Sequence, residues 1–594
     1  MILGAVTLPP TTPYTISLSN LVASPSFMTK GLIWFLDRIL GIAKMNKLYH
    51  LHNMEGLSKE AFIDKFIALF QLQITGIEAL QEKIPKTGPV VIASNHPFGG
   101  IEGVILARVI GEVRPDLKIL ANKGLGILKE LTDYFIFTNP LSEKDPQNAP
   151  SLRKCIKHVN NQGALLVFPA GRVSYYQPEK KAISEHSWNK IVGRLVEVDG
   201  CQFVPVFVNG TNSKWFYRLG RIYYRLRMLM LPRQILNKKG AQIDLNAGMP
   251  IKSRLIKGQN YQQKADICRL LSYTQDNKWH YDWPPNKVLT QQPLIAPVDS
   301  AVISAEIKAL PKDQLLCEHG NYSVYFGYQS QMPKVVNEIA RLRELVFRQH
   351  NEGSGEPLDT DRFDATYTHL CIVEHHSKIM GAYRMGRTDK LLAQNGLDGL
   401  YLHKMFSFEP DFVNRNTPCL EMGRSFLIPE FQGSFQGLLL LWRGICTFAY
   451  KFPQYRTLYG TVSISKLYSP KSVKLIEQLL IKEAHRKHVM PRDAFEFNLH
   501  REFVAHSKHQ DSANSLLDNL PALLSTIEPD GKGIPILAKQ YLKMGAKFHA
   551  LGIDTSFNHT PGLLLSVHLP SSPDKQLKMY MGKDFKRYVD YQPN

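Results

Sequence analysis

The chain has 594 residues, of which 44% are hydrophobic and 21% charged, and its formal net charge is +20 at pH 7. This composition excludes an intrinsically disordered chain, and the length excludes a single hydrophobic core, so we expect roughly two to four domains. The positive charge predicts an anionic partner, and nucleic acid, an anionic membrane surface and an acidic carrier protein all remain open.

The seven cysteines are scattered and form no Cys-x-x-Cys pair. This pattern argues against a disulfide framework and a structural zinc site and favours a reducing cytoplasm. No uncharged apolar run reaches the ~18 residues of a membrane-spanning helix, and the first residues lack the pattern of a secretory signal. We therefore expect any reaction on lipid to take place from the membrane surface.

Residues 1–50 form the predicted N-terminal segment. It begins with an irregular stretch rich in Ser, Thr and Pro and continues from Gly31 as an amphipathic helix, in which Trp34 is available as an interfacial anchor. An ordinary helix packed on its own domain is the open alternative. A further helix is predicted over residues 59–84.

The stretch 95–100, with the sequence Asn-His-Pro-Phe-Gly-Gly, is the first candidate for a catalytic turn. It follows the apolar run 89–94 and precedes a helix-like segment that begins near Ile101. A strand, a Pro-Gly turn and a helix in this order hold an imidazole at the carboxyl end of a strand, where open α/β sheets bind their ligands. His96 is therefore a candidate catalytic residue.

Alternating helices and strands follow this turn. We predict strands at 118–121, 134–137, 164–168 and 203–208, with helices between them, which is the order of a largely parallel α/β sheet. The turn at 95–100, a second turn Phe-Pro-Ala-Gly-Arg-Val-Ser at 168–174 and the strand Phe-Val-Pro-Val-Phe at 203–207 together resemble the lysophospholipid acyltransferase family.

The resemblance implies that His96 is the base of an acyl transfer to a hydroxyl group. Ile101 stands where the family has the orienting carboxylate, so we expect Glu102, one residue further on, to be the catalytic partner of His96. The alternative is that Glu102 only complements the helix dipole as an acid in the first turn of a helix. The substrate-binding residues implied by the second turn are Gly171, Arg172 and Ser174. The family's glutamate is replaced there by Ala170, which argues against a glycerol phosphate acceptor and suits a carboxylate partner for Arg172.

Residues 214–233 are basic and aromatic and contain no acid. Contact with anionic lipid is the favoured interpretation, with nucleobase stacking and a solvated face as alternatives; no nucleic-acid-binding module accompanies the segment, so we expect no nucleic acid partner. The first domain is predicted to span residues 51–290. A linker containing Pro293 and Pro297 is predicted over residues 291–319.

The second half, residues 320–594, has a new order of elements. We predict a helix at 335–347, a hairpin of strands at 367–373 and 378–387, a strand at 420–428, a helix at 433–450, a strand at 458–464, a helix at 473–483 and a basic helix near 534–548. This is the order of the GNAT-like α/β fold. The motifs at 343–347, 361–364, 384 and 421–425 resemble those of the ornithine N-acyltransferases and, more distantly, of the acyl-homoserine lactone synthases.

That resemblance implies roles for the second group of site residues. Glu421 is the expected base, acting directly or through water on an amine that arrives protonated. Arg343 and Phe347 belong to the substrate-binding motif, and the remaining binding residues are Asp361 and Asp364 for the cationic groups of an amino acid and Arg384 and Arg424 for its carboxylate. Structural ion pairs are the alternative for these charges.

The resemblance also implies the acyl donor. It is an acyl-carrier-protein thioester on phosphopantetheine, with no resident cofactor and no metal. The loop 431–437 matches a CoA pyrophosphate cradle only loosely, which leaves CoA as the alternative donor.

The two halves in one chain resemble the bifunctional ornithine lipid synthases of bacteria. The resemblance implies N-acylation of ornithine from 3-hydroxyacyl carrier protein by the second half and O-acylation of the lyso-lipid by the first. Lysine, glutamine and glycine remain alternative amino acids. A peripheral position on the cytoplasmic face of the inner membrane is expected. A glycerophospholipid O-acyltransferase with a non-catalytic carrier-binding module is the competing hypothesis.

Overall fold

The computed structural model describes residues 27–139, 145–146, 148–222, 227, 229–284, 291–508, 510–583 and 585–592. The chain folds into two compact units. Unit 1 comprises the chain up to His280 together with residues 500–532, and unit 2 comprises residues 281–499 and 533–594. The prediction for residues 1–26, and that for parts of 214–233, lies outside the described residues.

Unit 1 is built on an eight-stranded mixed sheet surrounded by helices. Its strands are β1 Gln73–Thr75, β2 Val90–Ser94, β3 Lys118–Asn122, β4 Phe135–Thr138, β5 Ala164–Val167, β8 Gln202–Asn209, β9 Gln242–Ala247 and β10 Ile251–Lys252, and β6 Tyr175–Gln177 and β7 Ala182–Ser184 form a separate hairpin. Its helices are α1 Phe27–Ile39, α2 Ile42–Leu51, α3 Lys59–Leu69, α4 Ile77–Lys83, α5 Ile101–Val113, α6 Asn148–Asn160, α7 Lys190–Leu195, α8 Lys214–Ile222, α9 Leu231–Leu236 and α10 Tyr261–Tyr273.

The strand order of this sheet is β1-β9-β8-β2-β5-β3-β4, with β10 beside β8. All neighbours are parallel except β8 with β9 and β8 with β10. Strand β2 lies between β5 and β8 and is buried along its whole length, as its continuous apolar sequence predicts. The predicted parallel α/β sheet is therefore present, with antiparallel strands at one side.

The predicted helix over residues 59–84 is wrong in its middle. Helix α3 ends near Leu69, the short strand β1 follows, and α4 begins at Ile77. Gln71, with φ of 50°, adopts the left-handed conformation that ends α3, and Gly76, with φ of 78°, turns the chain just before α4 begins. The apolar spacing continues through this interruption, and a periodicity argument cannot detect it.

Residues 500–532 were assigned by the sequence pattern to the second domain, and this assignment is wrong. They form the helices Arg501–His506, Gln510–Asp518 and Leu520–Ile527, which belong to unit 1. Glu502, 1% exposed, lies 2.8 Å from Arg269 and 2.7 Å from Lys180. The insertion therefore completes the first unit with a buried ion pair from a distant part of the chain.

Unit 2 contains a second eight-stranded sheet and a small hairpin. Its strands are β11 Leu315–His319, β12 Tyr322–Gly327, β13 Thr368–Glu374, β14 Lys378–Arg387, β15 Phe406–Phe408, β16 Cys419–Leu427, β17 Thr457–Ser463, β18 Val489–Pro491, β19 Lys547–Asp554 and β20 Thr560–His568. Its helices are α11 Ser300–Ala309, α12 Pro333–Gln349, α13 Thr388–Asn395, α14 Phe435–Lys451, α15 Pro470–Leu480, α16 Ile536–Lys543, α17 Asp574–Met581 and α18 Phe585–Val589.

The strand order of the second sheet is β11-β12-β13-β14-β16-β17-β20-β19, and β15 pairs with β18. Every neighbouring pair in the large sheet is antiparallel except β16 with β17. These two parallel strands pair only over Cys419–Met422 and Thr457–Gly460. Beyond that point they separate, and each keeps hydrogen bonds with its outer neighbour alone.

Two predictions for the second half differ from the structure. The linker predicted over residues 291–319 contains α11 and β11; Glu306 on α11 accepts hydrogen bonds from the backbone N–H groups of Lys334 and Val335 at the start of α12. The basic helix predicted near 534–548 ends at Lys543, and β19 begins at Lys547. Gly545, with φ of 81°, lies between them and allows the sharp change of direction.

Candidate active sites

The first candidate site lies at the carboxyl end of β2. Glu102, on the first turn of α5, places Oε1 at 3.0 Å from Nδ1 of His96. The same carboxylate accepts hydrogen bonds from the backbone N–H groups of Phe98, Gly99 and Gly100. Glu102 therefore accepts hydrogen bonds from the turn that leads into α5 and contacts the imidazole at the same time.

Electrostatics favour a charged Glu102 next to His96. Burial by itself would raise the pKa of Glu102, which is 0% exposed, but His96 and the N–H groups of the turn lower it to about 2. Burial by itself would lower the pKa of His96, and the carboxylate of Glu102 more than offsets this, so the pKa of His96 is raised. A carboxylate that orients a ring through Nδ1 leaves Nε2 available for proton transfer.

The second predicted turn supports His96 from the other side. Ser174 donates from its backbone N–H and from Oγ to the carbonyl oxygen of His96, at 3.0 and 3.3 Å. Gly171 has φ of 63° and turns the chain. The ring of Phe168 lies 4.8 Å from the imidazole, centroid to centroid. Ser174 is thus a residue that positions His96, whereas Gly171 and Arg172 line the neighbouring cavity.

Glu185 is a site residue that the sequence pattern does not reveal. It is 1% exposed, accepts the backbone N–H of His96 on Oε1 and accepts Nε1–H of Trp188 on Oε2. Burial raises its pKa. Because 89 residues separate Glu185 from His96, local spacing carries no signal for the contact.

A cavity of about 1560 Å³ opens beside His96. It is larger than the roughly 300–1,000 Å³ of sites for drug-sized ligands. Its walls are mostly apolar and include Met45, Leu48, Phe62, Phe66, Val104 and Leu131. Burial of each methylene group in such walls contributes about 0.8 kcal/mol. The cavity therefore suits a long acyl chain with its reacting end near the imidazole.

The second candidate site surrounds Glu421 on β16. Glu421 is 2% exposed; its Oε1 accepts hydrogen bonds from Tyr367 Oη at 2.8 Å and from the backbone N–H of Leu402 at 3.2 Å. Oε2 accepts a hydrogen bond from Tyr459 Oη at 2.8 Å. Burial raises the pKa of Glu421 in spite of these donors. The structure thus holds the predicted base in a closed set of hydrogen bonds.

The predicted charged motif forms a buried network of ion pairs. Arg343 makes a bidentate contact with Asp364, both distances being 3.0 Å, and Arg384 makes one with Asp361 at 2.6 and 2.9 Å. Arg384 also lies 3.1 Å from Asp364. The pKa values of both aspartates are lowered by these arginines against the opposing effect of burial. Of the two roles predicted for these charges, substrate binding and structural ion pairing, the contacts of Arg343, Arg384 and Asp364 are those of structural ion pairs.

Arg424 occupies the irregular part of β16. Its φ is 52°, and the pairing of β14 with β16 shifts register there. Its Nη2 donates to Tyr401 Oη at 3.2 Å, and its guanidinium lies 4.4 Å from the ring of Phe557, which packs edge-on against Phe347. A β-bulge of this kind redirects a side chain, here towards the separated ends of β16 and β17.

A second cavity of about 480 Å³ lies in unit 2, between residues 398–405 and residues 553–556. Its walls carry charges of both signs, including Arg362, Lys404, Arg492 and Asp554. Asp554 accepts a hydrogen bond from Tyr401 at 2.6 Å. These walls suit a small polar ligand rather than an acyl chain. Among the described residues, no group of three or more His, Cys, Asp or Glu side chains is arranged to hold a metal ion.

Two family models match the chain. Residues 26–279 match the model described as an acyltransferase, and residues 342–443 match the acetyltransferase (GNAT) domain. The first match contains His96 and Glu102, and the second contains Glu421 and Arg424. The chain is therefore an acyltransferase, with an acyltransferase domain towards its N-terminus and a GNAT domain in its second half.

Named relatives agree with this class. A glycine N(alpha)-acyltransferase of Phocaeicola vulgatus is 24% identical over 293 residues, covering 46% of this chain and 89% of the relative. A lyso-glycine lipid O-acyltransferase of the same species is 28% identical over 189 residues, covering 30% of this chain and 64% of the relative. Together with the family models, these relatives support a bifunctional acyltransferase.

Similar solved structures include two acyl-homoserine lactone synthases. The CoA-dependent synthase MesI is 10% identical, and the alignment covers 46% of this chain and 97% of MesI with a TM-score of 0.23. LasI is 18% identical, and the alignment covers 24% of this chain and 74% of LasI with a TM-score of 0.19.

Proposed function

We propose that the chain makes an amino acid lipid in two acyl transfers. Unit 2 N-acylates an amino acid with a 3-hydroxyacyl group, and unit 1 esterifies the free hydroxyl of the resulting lyso-lipid. The observation that carries this proposal is the presence, in one chain, of similarity to a glycine N(alpha)-acyltransferase and to a lyso-glycine lipid O-acyltransferase. The product of the first reaction is the acceptor for the second.

For the O-acyl transfer, His96 is the proposed base and Glu102 its orienting partner. The substrate hydroxyl gives its proton to Nε2 of His96 while its oxygen attacks the thioester carbonyl; the C–S bond then breaks, and the thiolate takes the proton. The apolar cavity of about 1560 Å³ beside His96 supports an acyl substrate. Arg172 at its wall is the proposed contact for the carboxylate of the lyso-lipid.

For the N-acyl transfer, the proposed donor is acyl carrier protein, with CoA as the alternative. The phosphopantetheine arm would enter where β16 and β17 separate, because the strands expose unpaired backbone groups there. The resemblance of the motifs assigns the base to Glu421, whose oxygens accept hydrogen bonds from Tyr367, Tyr459 and Leu402.

The amino acid is either glycine or ornithine. The motifs of the second half resemble those of the ornithine N-acyltransferases, whereas the relatives' names specify glycine. Ornithine brings a second ammonium group, for which Asp361 and Asp364 are the predicted partners, and both already pair with arginines. This observation favours glycine, and labelled glycine and labelled ornithine, fed separately, distinguish the two.

A peripheral position on an anionic membrane is also part of the proposal. Leu32, Trp34, Phe35 and Ile39 on α1 are between 43% and 58% exposed, which suits a helix lying in the membrane interface. Among the described helices, none combines the length and the apolar character that crossing a bilayer requires.

Expression in a bacterium that lacks aminolipids tests the proposed function. Mass spectrometry of extracted lipids is expected to find a phosphate-free amino acid lipid with two acyl groups. The His96→Ala variant is expected to accumulate the singly acylated lyso form, and the Glu421→Gln variant to deplete both forms. Absence of any acylated amino acid, together with a changed phospholipid pattern, would support a glycerophospholipid acyltransferase instead.

A further inference from the structure

The separation of β16 from β17 creates an opening in the second sheet. Within the described residues, β16 and β17 pair with each other only as far as Met422 and Gly460, so residues 423–427 and 461–463 do not pair across the gap between the two strands. A Cβ atom added at Gly423 would meet nothing within 4 Å. The opening therefore gives a thioester access to the backbone of both strands.

Glu352 lies at this opening. It follows α12 in the sequence, is 6% exposed, and accepts a hydrogen bond on Oε2 from Oγ of Ser463 at 3.1 Å. Ser463 is the exposed last residue of β17. Within the part of the chain that the structure describes, Oε1 of Glu352 has no hydrogen-bond partner. One oxygen of a buried carboxylate is thus held by the strand end, and the other remains free.

Glu421 contacts β17 at a different point along the strand from Glu352. Tyr459, its partner on β17, precedes Ser463 by four residues, so the two contacts lie roughly 13 Å apart along the strand. Tyr459 is within the paired region of β16 and β17, whereas Ser463 is beyond it. Glu421 therefore stabilises the junction of the strands, and Glu352 faces the gap.

The charge of Glu352 is poised near neutral pH. Burial raises its pKa to about 7, against the opposing effects of the Ser463 hydrogen bond and of Arg424. Arg424 is shared with Asp359 and Asp361, at 3.4 and 3.9 Å, which limits its effect on Glu352. A carboxylate of this kind can take a proton and release it at the pH of the cell.

We propose that Glu352 is the general base of the N-acyl transfer, an assignment that rests on the proposed amine acylation. Oε1 takes one proton from the substrate ammonium, and the neutral nitrogen attacks the thioester carbonyl. The C–N bond forms and the C–S bond breaks. The second proton leaves the nitrogen for the departing thiolate, and Glu352 releases its own proton to solvent. Glu421 is then a positioning residue at the strand junction.

The test measures thiol release from a 3-hydroxyacyl thioester and the amino acid by the purified full-length protein, as a function of pH. The wild type is expected to lose kcat/KM below a midpoint near pH 7. Glu352→Gln is expected to lower kcat/KM by about 10²-fold or more and to remove this acid limb. Ser463→Ala removes a hydrogen bond that lowers the pKa of Glu352, so the limb is expected to move to higher pH. Glu483→Gln, at a side chain 92% exposed, is the matched control and should match the wild type.

The outcomes separate this assignment from the proposed function. If the wild type releases no thiol with any amino acid, the proposed function fails. If the wild type is active and Glu352→Gln keeps both its rate and the acid limb, the assignment of Glu352 is wrong. Loss of the limb in Glu421→Gln but not in Glu352→Gln would make Glu421 the base. If the Ser463→Ala protein is folded and active and the acid limb of its kcat/KM profile is not shifted, the proposed role of the Glu352–Ser463 hydrogen bond is wrong.

Discussion

Replacement of Glu102 by Gln is expected to impair O-acylation strongly while leaving N-acylation intact. The carboxylate has a pKa of about 2, against its ordinary value of 4.5, a difference that corresponds to about 3 kcal/mol of stabilisation of the charged form beside His96. This contribution to folding is present above pH 4.5 and is lost as the pH falls towards 2. Without the charge, the pKa of His96 falls, because Glu102 no longer offsets the effect of burial.

Conversion of lyso-lipid to diacyl lipid by the purified protein is the assay. The rate is expected to drop about 10² to 10⁴-fold, and the acid limb of the pH profile to move to lower pH. Glu112→Gln is the matched control, because Glu112 lies on the same helix with a side chain 46% exposed and contacts Arg108 and Gln81 at the surface, away from His96. An unchanged rate and an unchanged limb in Glu102→Gln would refute the pairing of this carboxylate with a catalytic His96.

Three further changes test other parts of the structure. Glu352→Gln is expected to stabilise the fold by up to about 3 kcal/mol at pH 8. The wild-type carboxylate has a pKa of about 7, against an ordinary 4.5, so its contribution to folding is present below pH 4.5 and is lost as the pH rises through 7. Urea unfolding at pH 4 and pH 8 measures the difference in stability. Glu502→Gln is expected to cost about 3 kcal/mol at pH 7, since it breaks the buried pair with Arg269, and denaturant unfolding of unit 1 should show a lower midpoint. Trp34→Glu is expected to reduce sedimentation with vesicles of anionic phospholipid several-fold while leaving thiol release in solution unchanged.

Motif spacing along the chain predicted the residues that meet over a short distance. Helix α5 begins directly after Gly100, so Glu102 reaches back over the turn to His96 even though it is one residue beyond the usual place. The hairpin of β13 and β14 and the helix α14 also follow from apolar periodicity. In each case the partners are neighbours in sequence or follow a regular repeat.

Long-range contacts escaped prediction because no local pattern encodes them. Glu185 contacts His96 across 89 residues, and Glu502 contacts Arg269 across 233. The role of Asp364 was ambiguous for a different reason. The local sequence is the same whether this carboxylate binds a substrate ammonium or pairs with an arginine. The positions of Arg343 and Arg384 in the fold distinguish them.

The insertion of residues 500–532 into unit 1 affects how the protein is synthesised. The sheet of unit 1 is complete once β10 has emerged from the ribosome, but Arg269 and Lys180 must wait for Glu502. At roughly 5–20 residues per second, the ~250 residues between β10 and Glu502 take on the order of 10–50 s to translate. During that interval Arg269 and Lys180 lack the carboxylate with which they pair in the complete fold, and a nascent chain released early cannot reach the native state of that half.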